Sequence, residues 1–227
     1  MYQPPRTSAR PRAAALASAA LFVPALLFAA LPASAQTVDL FPKNHDDPQH
    51  EVWTRVAIPP DHPVSQVAQW HIDYKKREIA CDGNGGHEWL RFNRELTNFT
   101  FQVKWRFIPV KTLNPKYNSG VFFRNNLDGS IWHQAQASQE GGYIFGLTPM
   151  NGTSTTFNLQ KDMEANLVKP VGEWNVYDIR CAGALCTLTV NGDLVNTAEV
   201  GLDKGYIGLE SEGYRIQFKD LKVQELP

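Results

Sequence analysis

Helical periodicity is nearly missing from this 227-residue sequence. Beyond residue 35, apolar side chains recur at every second position far more than at every third or fourth, which points away from helices. Basic runs are missing as well. Without the three arginines of residues 1–35, the chain carries 19 basic and 23 acidic residues, a net charge of −4. Nucleic acid and anionic lipid are therefore poor partners. No stretch after the N-terminus is apolar enough to span a bilayer. There is no nucleophile motif, no phosphate-cradling glycine loop and no zinc-type spacing of Cys and His, so neither a cofactor nor a metal is expected. Asp46-Asp47 and Asp82 supply oxygen ligands, but not in the pattern of a calcium loop.

Cysteine is scarce: Cys81, Cys181 and Cys186 only. In "IRCAGALCTLTV" the last two flank a four-residue segment between strand-like runs, so a hairpin would set them nearly opposite each other. Oxidation to a disulfide and a pair of reduced, half-buried thiols are both open readings. Cys81 is left without a partner.

What is present begins with a leader. Residues 1–35 contain Arg6, Arg10 and Arg12, no acid, an Ala/Leu-rich run from Ala13 to Ala30, and Ala33-Ser34-Ala35. These are the parts of a secretory signal peptide, with an uncut anchor as the alternative. Cleavage before Gln36 would release a periplasmic or secreted protein, free of the membrane. Export would permit the disulfide. The remaining chain is one domain's worth.

That chain alternates. In "NFTFQVKWRFIPV", Phe99, Phe101, Val103, Trp105 and Phe107 share one face, and Thr100, Gln102, Lys104 and Arg106 the other. "SGVFFR", "WNVYDIRC", "CTLTVNGDLVNTAEV" with its Asn191-Gly192 turn, "GYIGLESEG" and "YRIQFKDLKVQEL" continue the pattern. The expectation is an all-β, antiparallel two-sheet sandwich with Phe101, Val103, Trp105, Val121, Phe123, Ile207 and Leu209 between the sheets. Residues 36–69, rich in Pro, His and Asp, read as an irregular arm. Residues 148–170 read as a long excursion between strands.

The order of "WHIDYKKREIACDGNGGHEWLRF", "NFTFQVKWRF", "NSGVFFR", "GGYIFG", "KPVGEWNVYDI", "TVNGDLV" and "GYIGLESEGYRIQFKDLKV" resembles the family first known as domain of unknown function 1080, now described as the 3-keto-disaccharide hydrolase domain. The resemblance covers residues 70–226. It implies a concanavalin A-like jelly roll over residues 70–227, with a carbohydrate site on its concave sheet. It also implies bacterial export and a place in the cleavage of glycosides oxidised at C3. One departure stands out. Relatives often carry Glu-x-Gln after "NSG.F.R", where this chain has Gln134-Ala135-Gln136.

Period two places Val121, Phe123, Ile131, Ala135 and Ala137 in the core, and Gly120, Phe122, Arg124, Trp132, Gln134 and Gln136 on the concave face. Asn118 opens the same strand. The glutamines read hydroxyls, Trp132 stacks on a sugar ring, and Arg124 holds a carbonyl or oxyanion. Glu210 is the preferred acid/base, with Glu212 second, since adjacent carboxylates push a pKa upward. His87, on a glycine-rich turn, suits proton transfer. Lys161 would close over a ligand from the long excursion. Glu173-Trp174-Asn175 reads as a strand entry.

The expected function is cleavage or hydration of a 3-keto-glycoside by acid/base chemistry beside the ketone. The rival is a non-catalytic carbohydrate-binding module of the same fold, and a secreted interaction domain without a sugar ligand is a third reading. An oligosaccharide or glycoside is the expected ligand; oligomeric state is not legible.

Overall fold

The computed structural model describes residues 35–42 and 51–227, so the leader (apart from Ala35) and Asp46-Asp47 lie outside the described residues. Fifteen strands run in chain order: β1 Gln36–Val38, β2 Trp53–Ala57, β3 Trp70–Asp73, β4 Glu78–Cys81, β5 Glu88–Phe92. β6 Phe99–Phe107, β7 Asn118–Asn125, β8 Trp132–Ser138, β9 Ile144–Met150 and β10 Thr153–Asn158 follow. β11 Asn175–Ala182, β12 Leu185–Val190, β13 Asp193–Glu199, β14 Tyr206–Ser211 and β15 Ile216–Glu225 complete the set. Among the described residues the one helical element is a 3-10 turn, Gln160–Asp162.

The strands form two antiparallel sheets. One has the order β13-β12-β11-β6-β15-β4-β3, with β1 added beside β15; the other has the order β10-β9-β8-β7-β14-β5-β2. Their facing sides build the core. In β6 the alternation is complete, with Phe99, Phe101, Val103, Trp105 and Phe107 buried and the intervening residues half-buried. Val121, Phe123, Ile207 and Leu209 meet them from the opposite sheet, all fully enclosed. Each such side chain contributes roughly 1.5–3 kcal/mol on burial, so the two-residue period is sufficient cause for the sandwich.

Turn chemistry works where it was legible. Asn191 and Gly192 take positive φ between β12 and β13, as a tight hairpin demands. Cys181 and Cys186 face each other across β11 and β12 and form the disulfide, whereas Cys81 is free and buried.

Three expectations need correction. The arm is not irregular throughout: β1 pairs β15 and β2 pairs β5, so its described parts extend both sheets. The Pro-, His- and Asp-rich flanks hide the short run "WTRVA", whose Trp53 and Ala57 are buried. The excursion begins as a hairpin, because Asn151-Gly152 turns β9 into the edge strand β10. Ile131 precedes β8 and is only half-buried, while His133 occupies the enclosed position on that face.

Candidate functional site

The outer face of the seven-stranded sheet carries a cleft of about 1260 Å3, above the usual range for small-molecule pockets of roughly 300–1,000 Å3. Two glycines shape its floor. A Cβ at Gly120 would lie 2.0 Å from Gln134 Nε2, and one at Gly208 would lie 2.4 Å from Trp89 Cε3. Bare backbone at these positions lets the Gln134 amide and the Trp89 ring lie flat across neighbouring strands.

A chain of polar side chains follows. Gln134 Nε2 donates to Glu210 Oε2 at 2.6 Å, and His87 Nε2 lies 2.8 Å from Glu210 Oε1. Glu212 Oε2 is 3.9 Å from the same ring nitrogen and accepts from Asn118 Nδ2. Asn118 Oδ1 in turn accepts from Gln136 Nε2. β7, β8, β14 and the turn before β5 thus converge on one patch.

Glu210 is 3% exposed. Burial raises its pKa, and the neighbouring Glu212 charge adds to this, while the His87 and Gln134 hydrogen bonds oppose it. His87 is also raised, first by its hydrogen bond to Glu210, against the pull of burial. Both shifts favour a held proton, and the 2.8 Å contact gives that proton two sites to move between. The hydrogen bond through Nε2 leaves Nδ1 as the ring nitrogen for a ligand. Donor atoms of His87, Glu210 and Glu212 all lie within 4.8 Å of one another, so the trio could also hold a divalent cation.

Aromatic side chains line the cleft beside this patch. Trp132 and Phe145 meet edge to face at 5.0 Å, and Tyr143 is 5.7 Å from Phe145. Phe122 is buried against the edge of Trp89 at 5.5 Å. Ile58, Pro59 and Lys116 also line the cleft.

The structure therefore brings together His87, Asn118, Phe122, Trp132, Gln134, Gln136, Glu210 and Glu212. It does not bring in Arg124. Tyr206 pairs with Asn125 but Gly208 pairs with Phe122, so two residues of β7 oppose Ile207 alone. This bulge, with Arg124 at φ 52°, reverses the alternation. Asn125 takes the cleft-facing place, and Arg124 is fully buried. Its guanidinium donates to the carbonyls of Gly183 and Leu202 at 2.8 and 2.7 Å, to Thr97 O, and to Asn98 Oδ1 at 3.4 Å. Lys161 is also corrected. It is exposed on the 3-10 turn after edge strand β10 and is not among the cleft-lining residues. Asp82 is engaged by His71 at 2.6 Å and Arg215 at 3.3 Å. Asn175 does fix a strand entry, accepting from Lys169 N and Asn191 Nδ2.

Sequence reasoning missed Trp89, Asn125, Tyr143, Phe145 and Lys116. Tyr143 and Phe145 share the alternation of "YIF", which was a usable signal. Asn125 had none, because the bulge that exposes it depends on the partner strand.

Residues 65–224 match the 3-keto-alpha-glucoside-1,2-lyase-like domain. The chain belongs to this family. No curated protein matches it. Among solved structures, it is similar to the carbohydrate binding module CBM66 from Bacillus subtilis, at 15% identity and TM-score 0.52, over 74% of this chain and 92% of that one. A putative glycosyl hydrolase from Parabacteroides distasonis aligns at 14% identity and TM-score 0.52, over 81% and 98%. A β-1,3-1,4-glucanase (lichenase) derived from a mouse hindgut metagenome aligns at 11% and 0.52, over 86% and 100%. At these identities the likeness is one of fold: the concanavalin A-like jelly roll, in a carbohydrate-related family.

Proposed function

We propose that the cleft cleaves or hydrates 3-keto-glycosides by acid/base chemistry centred on His87 and Glu210. The observation that supports this reading is the 2.8 Å contact between an exposed imidazole and a buried carboxylate on the cleft floor. A ketone at C3 acidifies the C2 proton. His87 removes it through Nδ1, and Glu210, beneath the ring, stabilises the imidazolium. The C2 electron pair becomes the enolate of C3, and then expels the C1 substituent, which takes up a proton as it leaves. The imidazolium formed at His87 supplies that proton, and Glu212, half-buried and held by Asn118, borders the ring. Water added at C1 of the unsaturated ketone completes a net hydrolysis. Lys116 and the amides of Asn118 and Gln136 take over the oxyanion-holding part that Arg124 cannot play.

Gln134 favours a second reading. Where relatives often have a carboxylate, this amide offers hydroxyl recognition without proton transfer, as a carbohydrate-binding module would. Incubation with a 3-keto-disaccharide separates the two. Release of free sugar supports the enzyme, and saturable binding without release supports the module. The leader belongs to the same proposal: the exported protein should begin near Gln36 on N-terminal sequencing, and recovery of the uncut chain in the cytoplasm would remove export. Among the described residues no helix is long and apolar enough to cross a membrane.

A further inference from the structure

Gln69 lies behind the site, in the segment that precedes β3, and is completely buried. Its amide is saturated. Nε2 donates to Gly86 O at 3.1 Å and to Glu88 Oε1 at 2.7 Å, and Oε1 accepts from Gly85 N at 2.9 Å and from Ser211 Oγ at 2.7 Å. Two donors and two acceptor positions are all an amide has. The partners are informative by their position in the chain. Gly85 and Gly86 immediately precede His87, Glu88 follows it, and Ser211 follows Glu210. A single side chain therefore ties the turn that carries His87 to the strand that carries Glu210.

The surroundings reinforce that tie. Glu88, 1% exposed, also accepts from Arg55 Nε at 2.8 Å, Arg55 Nη2 at 2.9 Å and Trp70 Nε1 at 3.0 Å. The Gln69 carbonyl accepts from Asp82 N, at the start of the turn. A Cβ at Gly85 would sit 2.7 Å from Gln69 Cδ, so any larger residue there would push the amide from its place. Burying an amide costs free energy unless every group is matched, and an apolar residue would fill the same space without that demand. A buried amide with all its partners flanking two cleft residues fits a requirement for position.

We infer that Gln69 is a positioning residue that sets the separation and orientation of His87 and Glu210. The inference rests on reading that pair as the reacting groups. A displacement of about 1 Å at such a pair can cost on the order of a hundredfold in rate.

The test uses the full chain with Gln69→Met, which keeps length and removes the hydrogen bonds. Turnover of a 3-keto-disaccharide should lose at least about tenfold in kcat with KM within about twofold. Long-range 1H–15N spectra should show the His87 Nε2 resonance leaving its Glu210-bonded position. An unchanged kcat and an unchanged His87 resonance, with only a lower Tm, would overturn the inference. Should Gln69→Met fail to fold, Ser211→Ala removes one contact and is read the same way: a shifted resonance supports the inference and an unshifted one overturns it. If the wild type turns nothing over, the reading of the pair as catalytic fails, yet the resonance still decides what Gln69 does.

Discussion

His87 Nε2 lies 2.8 Å from Glu210 Oε1 across 123 positions of sequence. The strand order β14-β5 makes this contact, and Gln134 closes the other side of the carboxylate. Glu210→Gln keeps the shape and removes the charge that steadies the imidazolium. The expected loss in kcat is about two to four orders of magnitude, with ligand affinity within a few-fold. His87→Gln should lose a similar factor, and the double variant little more, because the two act as one unit. Turnover and calorimetric binding of one 3-keto-disaccharide measure both quantities. Full turnover by Glu210→Gln would remove the dyad from the chemistry.

Arg124 carries a separate prediction. Its guanidinium satisfies three backbone carbonyls and a side-chain oxygen in the loops around Thr97, Gly183 and Leu202. Arg124→Met would leave those part-buried acceptors without their charged donor. The expected cost is about 1.5–3 kcal/mol of unfolding free energy, read by urea denaturation. The KM of whatever fraction folds should stay near the wild-type value. A large KM change with intact stability would return Arg124 to the site.

These two cases show what was legible. Glu210, Gln134 and Gln136 lie at the cleft because the faces alternate through β8 and β14, with Ala135, Ala137 and Leu209 turned into the core. Arg124 follows the same written pattern, but a bulge lies in the pairing of two strands, and no single strand's sequence records it. Asn125 became a cleft residue by the same shift. Gln69 was set aside with an arm that looked irregular, since the value of a buried amide lies in partners 16 to 142 residues away. Alternation is local and therefore readable; register and convergence are not.

Buried His133 predicts acid sensitivity. Its ring nitrogens contact Arg124 O at 3.0 Å and Thr148 Oγ1 at 2.9 Å, and burial lowers its pKa to about 4. The unfolded chain takes up this proton near pH 6.5, and the native protein refuses it until about pH 4. The unfolded state thus binds more protons in that window, so stability falls as pH falls through it. The contribution is about 2 kcal/mol between pH 7 and pH 5. Urea melts of the wild type and His133→Phe at both pH values isolate it. Equal pH slopes would show that His133 is protonated in the native state.

Gly120→Ala tests the floor of the cleft with the smallest change available. The backbone there is ordinary, since its φ is not positive, so the added methyl meets only a steric demand. At 2.0 Å from Gln134 Nε2 that demand cannot be met in place. The obstruction is the far end of a flexible side chain, so the amide swings away and the sheet stays paired. Gln134 then releases Glu210 Oε2, which loses a donor that favours its charged form. Glu210 should bind its proton more tightly than in the wild type, and the acid limb of the pH–rate profile should move to higher pH. Sugar affinity should fall as well, by about 1 kcal/mol or roughly fivefold, the worth of one hydrogen bond. Thermal melts, calorimetric titration and pH–rate profiles of the wild type and Gly120→Ala, with Gln134→Ala as reference, read all three quantities. The two variants should match in affinity and profile, because both withdraw the same donor. A Gly120→Ala protein that binds like the wild type while Gln134→Ala does not would mean that the amide keeps its place.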